Sequence, residues 1–146
     1  MIIKDYTEED FPQILEIERG YFNTNSSLKN IKAFYGKNYK NLKVEINSKI
    51  IGFIQSIYSI DALDVINIAI VDEYRKQGVG YTLLCEIEKF CSKNNIYQIF
   101  LEVRKSNQAA INLYLKKGFK EISKRNNYYK NQDGSYEDAL VFCFYL

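Results

Sequence analysis

Two glycines, placed where an apolar run gives way to a helical one, constrain this chain more than anything else in it. Arg75-Lys76-Gln77-Gly78-Val79-Gly80 has the form R-x-x-G-x-G. Residues 65–71 before it read as a strand. Residues 81–92 after it repeat apolar side chains at helical spacing, with Leu83, Leu84, Ile87, Phe90 and Cys91 on one face. Glycine lets a backbone approach a ligand closely or take up a left-handed turn. A helix beginning there aims unpaired N–H groups and the positive end of its dipole outward. The string reads as a pyrophosphate cradle or as a plain tight turn, and only the residues downstream separate the two.

The 146 residues suit a single domain over 1–146, a length that buries roughly 70% of the unfolded surface. A hydrophobic content of 47% with 26% charged residues fits a globular chain. The 20 Lys+Arg and 18 Asp+Glu are interspersed and leave a net charge of +2, which argues against a nucleic-acid partner. No stretch reaches the roughly 18 uninterrupted apolar residues of a membrane span. The start of the chain soon meets Glu8, Glu9 and Asp10, unlike a secretory signal. A cytoplasmic protein without a membrane partner is expected, as a monomer or a homodimer. Cys85, Cys91 and Cys143 are odd in number and lack metal-ligand spacing, so they read as small buried hydrophobes. There is no histidine. That removes the commonest general base, and no metal is expected.

Along the chain, residues 2–4 suggest a first strand, and Thr7 with Asp10 a helix start. Phe11, Ile14, Leu15 and Glu18 then continue one helical face. Ser26 or Ser27 caps a short helix. Residues 42–46 and 50–58 around Asn47-Ser48 read as a β-hairpin, followed by a strand over 63–71. Beyond the glycine motif come a strand over 97–104 and a helix capped by Ser106 or Asn107. Gly118 ends that helix after Lys116 and Lys117, which complement its dipole. Residues 119–129 and 139–146 close the chain as an antiparallel pair. The fold class is α/β (α+β): a mixed, mostly antiparallel sheet of about seven strands with helices on both faces.

Glu102 lies in the middle of the apolar strand Ile99-Phe100-Leu101-Glu102-Val103-Arg104. It shares a face with Phe100 and Arg104, opposite Ile99, Leu101 and Val103. A carboxylate there must be paired or hydrated. It is either one arm of a salt bridge or a general base for an amine, acting directly or through water. Tyr114 is a core aromatic at helical spacing or a general acid for a leaving thiolate. Asn107 is a helix cap or an amide offered to a cofactor. Tyr128 and Tyr129 are strand aromatics or the wall of a peptide groove.

Taken in order, Ile68-Ala69-Ile70, Arg75-x-x-Gly78-x-Gly80, Leu101-Glu102-Val103-Arg104-x-Ser106-Asn107 and Ala110-x-x-Leu113-Tyr114-x-x-x-Gly118-Phe119 resemble the GCN5-related N-acetyltransferase (GNAT) superfamily. Arg125-x-x-Tyr128-Tyr129 followed by Glu137-Asp138-Ala139 resembles its ribosomal-protein-alanine (RimI-type) branch. The resemblance covers the chain from about residue 66 to the end. It implies a central parallel pair of strands splayed around acetyl-CoA. Ile68, Ala69 and Ile70 would pair with the pantetheine arm through their backbone. The loop Arg75, Lys76, Gln77, Gly78, Val79, Gly80 and Tyr81 would hold the pyrophosphate, and Asn107 would bind the arm. Glu102 would be the general base and Tyr114 the general acid, with no metal. The implied reaction is direct attack of an amine on acetyl-CoA in a ternary complex. An α-amino group, with a pKa of roughly 7.7–8.0, needs only modest help from a base.

The resemblance weakens toward the N-terminus. The RimI-type branch usually carries an early Pro-Trp pair, whereas this chain has no tryptophan and Pro12 as its one proline. The expected acceptor is the N-terminal α-amine of a protein or peptide. The alternative is a small-molecule amine such as a polyamine or an aminoglycoside, which uses every cofactor residue in the same way. A third reading, a CoA-binding module without catalysis, needs neither Glu102 nor Tyr114.

Overall fold

The computed structural model describes residues 1–22 and 27–146. Seven strands form one sheet: β1 Ile2–Asp5, β2 Tyr39–Ile46, β3 Lys49–Tyr58, β4 Ala62–Ile70, β5 Gln98–Arg104, β6 Lys120–Lys130 and β7 Tyr136–Tyr145. Their order is β1-β2-β3-β4-β5-β7-β6. Every neighbouring pair is antiparallel except the parallel β4 and β5. Four helices connect them: α1 (Phe11–Phe22), α2 (Leu28–Ala33), α3 (Val79–Lys93) and α4 (Gln108–Lys117).

The sheet separates two cores. On one face, Leu83, Leu84, Ile87 and Cys91 of α3 and Ala110, Ile111 and Tyr114 of α4 pack on Leu63, Ile99, Leu101 and Val103. On the other, Phe11, Ile14, Leu15 and Ile31 of α1 and α2 pack with Tyr6 on Ile50, Phe53 and Ala69. Each buried Leu or Ile of α3 contributes about 1.5–3 kcal/mol of transfer free energy. The strict alternation in β5, with Ile99, Leu101 and Val103 buried and Phe100, Glu102 and Arg104 half-buried, follows from having the α3–α4 core on one side only.

Local chemistry explains most boundaries. Thr7 donates its N–H to Asp10 Oδ2 at 2.8 Å, so it caps a 3-10 turn over Glu8–Asp10 that leads into α1. Pro12 sits in the first turn of α1, where its missing N–H costs nothing. Ser27 caps α2; Ser26 lies outside the described residues. Asn47 and Ser48 have φ of 51° and 65°, as the two-residue turn between Ile46 and Lys49 requires. Gly118 ends α4 with φ 113°. Lys117 does more than complement the dipole: its ammonium is bonded to Glu88 of α3.

The feature that makes a site lies between β4 and β5. They pair only through Ala62–Gln98, Leu63–Ile99 and Asp64–Phe100, then part. On the other side of β4, Gln55 pairs with Asn67 and Ser56 with Val65, leaving Ile66 as the extra residue of a bulge. A bulge bends its strand and raises the local twist. This one falls where pairing with β5 stops, so the bend opens a wedge through the sheet.

Candidate active site

The strand ends of the wedge lead directly into the glycine loop. Val71 N donates to Ile51 O at 2.9 Å, so the backbone of Val71 faces β3. By the two-residue alternation of a strand, Ala69 also faces β3, while Ile68 and Ile70 turn their N–H and C=O toward the wedge. Ala69 is buried against the α1 core. Of the three residues expected along the cofactor arm, Ile68 and Ile70 therefore face the gap and Ala69 does not.

The two glycines of the loop do different work. Gly78 has φ 83° and caps α3, and a Cβ there would meet nothing within 4 Å. Its requirement is conformational, and the space beside it is open. Gly80 has an ordinary φ, but a Cβ there would lie 3.0 Å from Leu113 Cδ2. Its requirement is the close packing of α4 on α3. Lys76 also takes a positive φ, 59°. Thr82 N makes the bond to Gly78 O at 3.0 Å, and the helix amides ahead of it, Val79 to Tyr81, belong to the unsatisfied first turn. Beside them runs a channel of about 200 Å³ lined by Ile68, Ile70, Gly78, Gly80, Ala109, Ala110 and Leu113. An open left-handed turn, free amides and an apolar tube fit a pyrophosphate joined to an extended, weakly polar arm.

Gln77 is turned back from that channel, whereas Arg75 lines it while tied to the strand end and the loop. Arg75 Nε donates to Ile70 O at 3.0 Å, its guanidinium pairs with Asp72 at 2.6 Å, and it lies 4.7 Å from the centre of the Tyr21 ring. Gln77 Nε2 donates to Glu73 O at 2.9 Å. Both brace the loop, Gln77 from behind and Arg75 from the channel side. Lys76 and Tyr81 line the channel, and Lys116 sits 5.6 Å over the Tyr81 ring.

A second cleft, of about 450 Å³, opens on the α1 face of the sheet. Glu18 and Tyr21 of α1, Asn67 and Ile68 of β4, Glu102 and Arg104 of β5, Asn107 and Tyr129 line it, with Tyr114 at its floor. The two cavities share Tyr21, Ile68 and Tyr114, so they meet through the wedge at the Tyr114 side chain. Tyr114 is 5% exposed. Burial pushes its phenol well above the usual value, which leaves it protonated at neutral pH.

Glu102 realises the salt-bridge reading while lining the cleft. Its Oε1 forms an ion pair with Arg125 Nε at 3.0 Å, and its side chain is 28% exposed. Arg125 in turn lies over the Tyr128 ring at 5.4 Å. Asn107 realises the capping reading: its Oδ1 accepts from Ala110 N at 3.2 Å. Its Nδ2 remains for the cleft that it lines.

The tail motif anchors the cleft wall. Glu137 accepts from Arg104 at 2.8 Å and from Ser106 N at 3.2 Å, which holds its carboxyl below the usual range. Arg104 also lies 4.6 Å over the Tyr129 ring. Asp138 accepts from Asn127 N at 2.9 Å, where β6 shifts register and φ is 50°. These bonds deliver Tyr129 to the cleft, with Tyr128 packed edge-on against that ring at 5.1 Å. Burial, and secondarily the Glu102 charge, push Tyr129 up to about 12, so it too is a neutral hydrogen-bonding wall.

Sequence reasoning did not identify Tyr21 or Asn67. Glu18 carried a signal, being a carboxylate at a position that continues the apolar stripe of α1. Asn67 is the polar break in Val65-Ile66-Asn67-Ile68, and its meaning depends on the bulge.

The sequence profile of the acetyltransferase (GNAT) family matches residues 3–119, and the chain belongs to that family. It is 36% identical to a [ribosomal protein bS18]-alanine N-acetyltransferase of Haemophilus influenzae, over 99% of both chains. The crystal structure of the ribosomal-protein-S18-alanine N-acetyltransferase from Escherichia coli superposes with a TM-score of 0.92. It is 33% identical, over 99% of this chain and 92% of that one. The Arabidopsis thaliana NAA60 structure in complex with acetyl-CoA shares the fold, with a TM-score of 0.86 at 17% identity over 99% and 98% of the two chains.

Proposed function

We propose that this chain transfers the acetyl group of acetyl-CoA to the N-terminal α-amine of a ribosomal protein beginning with alanine, in the cytoplasm. The observation that carries the reading is the meeting of two clefts at Tyr114, one from each face of the sheet. One is built of backbone amides and small apolar residues, the other of carboxylates and tyrosines. The acceptor follows from the relatives, which carry that activity in their names and match 99% and 92% of this chain.

Acetyl-CoA supplies an acyl thioester, already activated toward an amine. Gly78, Val79, Gly80 and Tyr81 would hold its pyrophosphate through their N–H groups, with Lys76 alongside. Ile68 and Ile70 would pair with its arm, and Asn107 Nδ2 would bind it. Arg75 and Gln77 keep the loop in shape. At the acceptor, Arg125 fixes Glu102 Oε1, and Oε2 takes no protein hydrogen bond among the described residues. Glu102 receives a proton from the α-ammonium, directly or through water. The amine nitrogen bonds to the acyl carbon as the C–S bond breaks, and the departing sulfur takes up the second proton released by that nitrogen. Tyr114 Oη would donate a hydrogen bond to the departing sulfur. Its raised pKa suits a donor that stabilises charge without ionising itself.

The alternative, a small-molecule amine, shares the entire cofactor side. Turnover of alanine-initiated peptides against a panel of polyamines and aminoglycosides decides between them. The account expects peptide turnover to dominate. Background rates on every peptide with robust turnover of a small amine would reverse the acceptor assignment.

A further inference from the structure

Gln55 and Asn67 face each other across the β3–β4 ladder, on the face that α1 covers. Asn67 Nδ2 donates to Gln55 Oε1 at 2.8 Å, and Gln55 Nε2 donates to the Tyr6 hydroxyl at 2.8 Å. Gln55 is fully buried and Tyr6 is 2% exposed. Burial, with the charges of Glu18 and Asp10 adding to it, raises the Tyr6 phenol and keeps it protonated.

This relay is an expensive way to fill a core. A buried amide must have both ends bonded to avoid a penalty, while apolar replacement of both partners of a buried hydrogen bond is close to neutral. Packing alone has no use for Gln55. What the relay does achieve is orientation. Its outer member, Asn67, lines the acceptor cleft alongside Glu102. With Nδ2 committed to Gln55, Oδ1 is the end left for the cleft, and it accepts no other hydrogen bond among the described residues. Of the other polar groups there, Arg104 is engaged by Glu137 and Asn131, Glu102 Oε1 is paired with Arg125, and Asn107 Oδ1 is bonded to the start of α4.

We propose that Asn67 is an acceptor-binding residue, its Oδ1 receiving a hydrogen bond from the amino end of the incoming chain and holding that amine beside Glu102. Gln55 and Tyr6 are its positioning residues. The inference rests on the peptide-acceptor reading above and deepens it. It assigns part of acceptor recognition to β3 and to the residue just after β1, far in sequence from the tail motif.

The test is steady-state kinetics with an alanine-initiated peptide and acetyl-CoA. Asn67→Leu keeps the volume and removes the bond. The double variant Tyr6→Phe with Gln55→Leu removes both inner partners together, so neither is stranded. Asn67→Leu is expected to raise the peptide KM about tenfold, with the acetyl-CoA KM unchanged. The double variant should raise the same constant about threefold, with a melting temperature near wild type. A purely structural relay predicts a lower melting temperature and an unchanged peptide KM, which overturns the proposal, as do equal rises in both KM values. If wild type turns over small amines and no peptide, the underlying reading fails instead.

Discussion

The two clefts that meet at Tyr114 are built on opposite principles. The side proposed for the cofactor is made of backbone. Its amides come from one turn of one helix, its two glycines serve conformation and packing, and its apolar walls are interchangeable aliphatics. The acceptor side is made of side chains. Glu18 and Tyr21 come from α1, Asn67 from β4, Glu102 and Arg104 from β5, and Tyr129 from β6. Ion pairs and ring contacts hold them in place. A backbone site can serve one invariant ligand in many relatives, because side-chain drift hardly touches it. A side-chain site can be re-specified residue by residue. The same wedge in the sheet can thus keep its acyl donor while its acceptor changes.

That contrast can be broken first where it is strongest. Gly78→Asp places a β-carbon and a negative charge at a φ 83° position beside the open cradle. Acetyl-CoA affinity measured by calorimetry should fall by about 100-fold through strain and repulsion, with the peptide KM unaffected. An acetyl-CoA affinity close to wild type would remove the loop from the pyrophosphate site. Tyr114→Phe removes one hydroxyl at the junction of the two clefts. It should lower kcat by about tenfold while both KM values and the melting temperature hold. A large loss of stability with normal kcat would return Tyr114 to a packing role. Arg125→Ala sharpens the acceptor side alone: freed of its partner, Glu102 should misplace the amine and raise the peptide KM by about threefold, leaving acetyl-CoA binding intact.

The smallest expected effect lies outside both clefts. Lys43 pairs with Asp10 at 2.8 Å and Glu45 at 2.6 Å beneath α1. Burial alone would raise Asp10, but its bonds to Lys43 and to Thr7 N lower it on balance. A depressed carboxyl contributes stability that is present above its unfolded value, roughly 3.9. That contribution is lost as pH falls through the folded value. Asp10→Asn should therefore flatten the loss of thermal stability on acidification, with kinetics at neutral pH unchanged. An unaltered acid profile would show that this pair carries no pH dependence.

How much of this was readable from the chain follows the same division. The glycine loop, the strand carrying Glu102, the helix carrying Tyr114 and the helix caps were legible, because each depends on residues adjacent in sequence or at one repeat spacing; the splayed parallel pair came only with the family resemblance. The loop's bracing was not. Arg75 was expected at the pyrophosphate and lines that channel, but its bonds to Ile70 O and Asp72 depend on the 3-10 turn after Val71, which the motif alone does not reveal. Ala69 was misread for a subtler reason: which of Ile68, Ala69 and Ile70 faces the wedge depends on the phase of pairing with β3. The partner of Glu102 comes from β6, two strands away in the sheet order. The Tyr6–Gln55–Asn67 relay joins two strands and the segment that follows β1 through side chains that, read singly, are ordinary.

The central claim is that Glu102 acts on the acceptor amine and has no part in holding the donor. Glu102→Gln tests it most directly, through acetyl-CoA affinity by calorimetry and peptide turnover across pH on one preparation. The account predicts an affinity unchanged within experimental error and a kcat lower by about 100-fold. The deficit should narrow as pH rises and the amine deprotonates without help. Turnover equal to wild type, or a turnover loss matched by an equal loss of acetyl-CoA affinity, would contradict it.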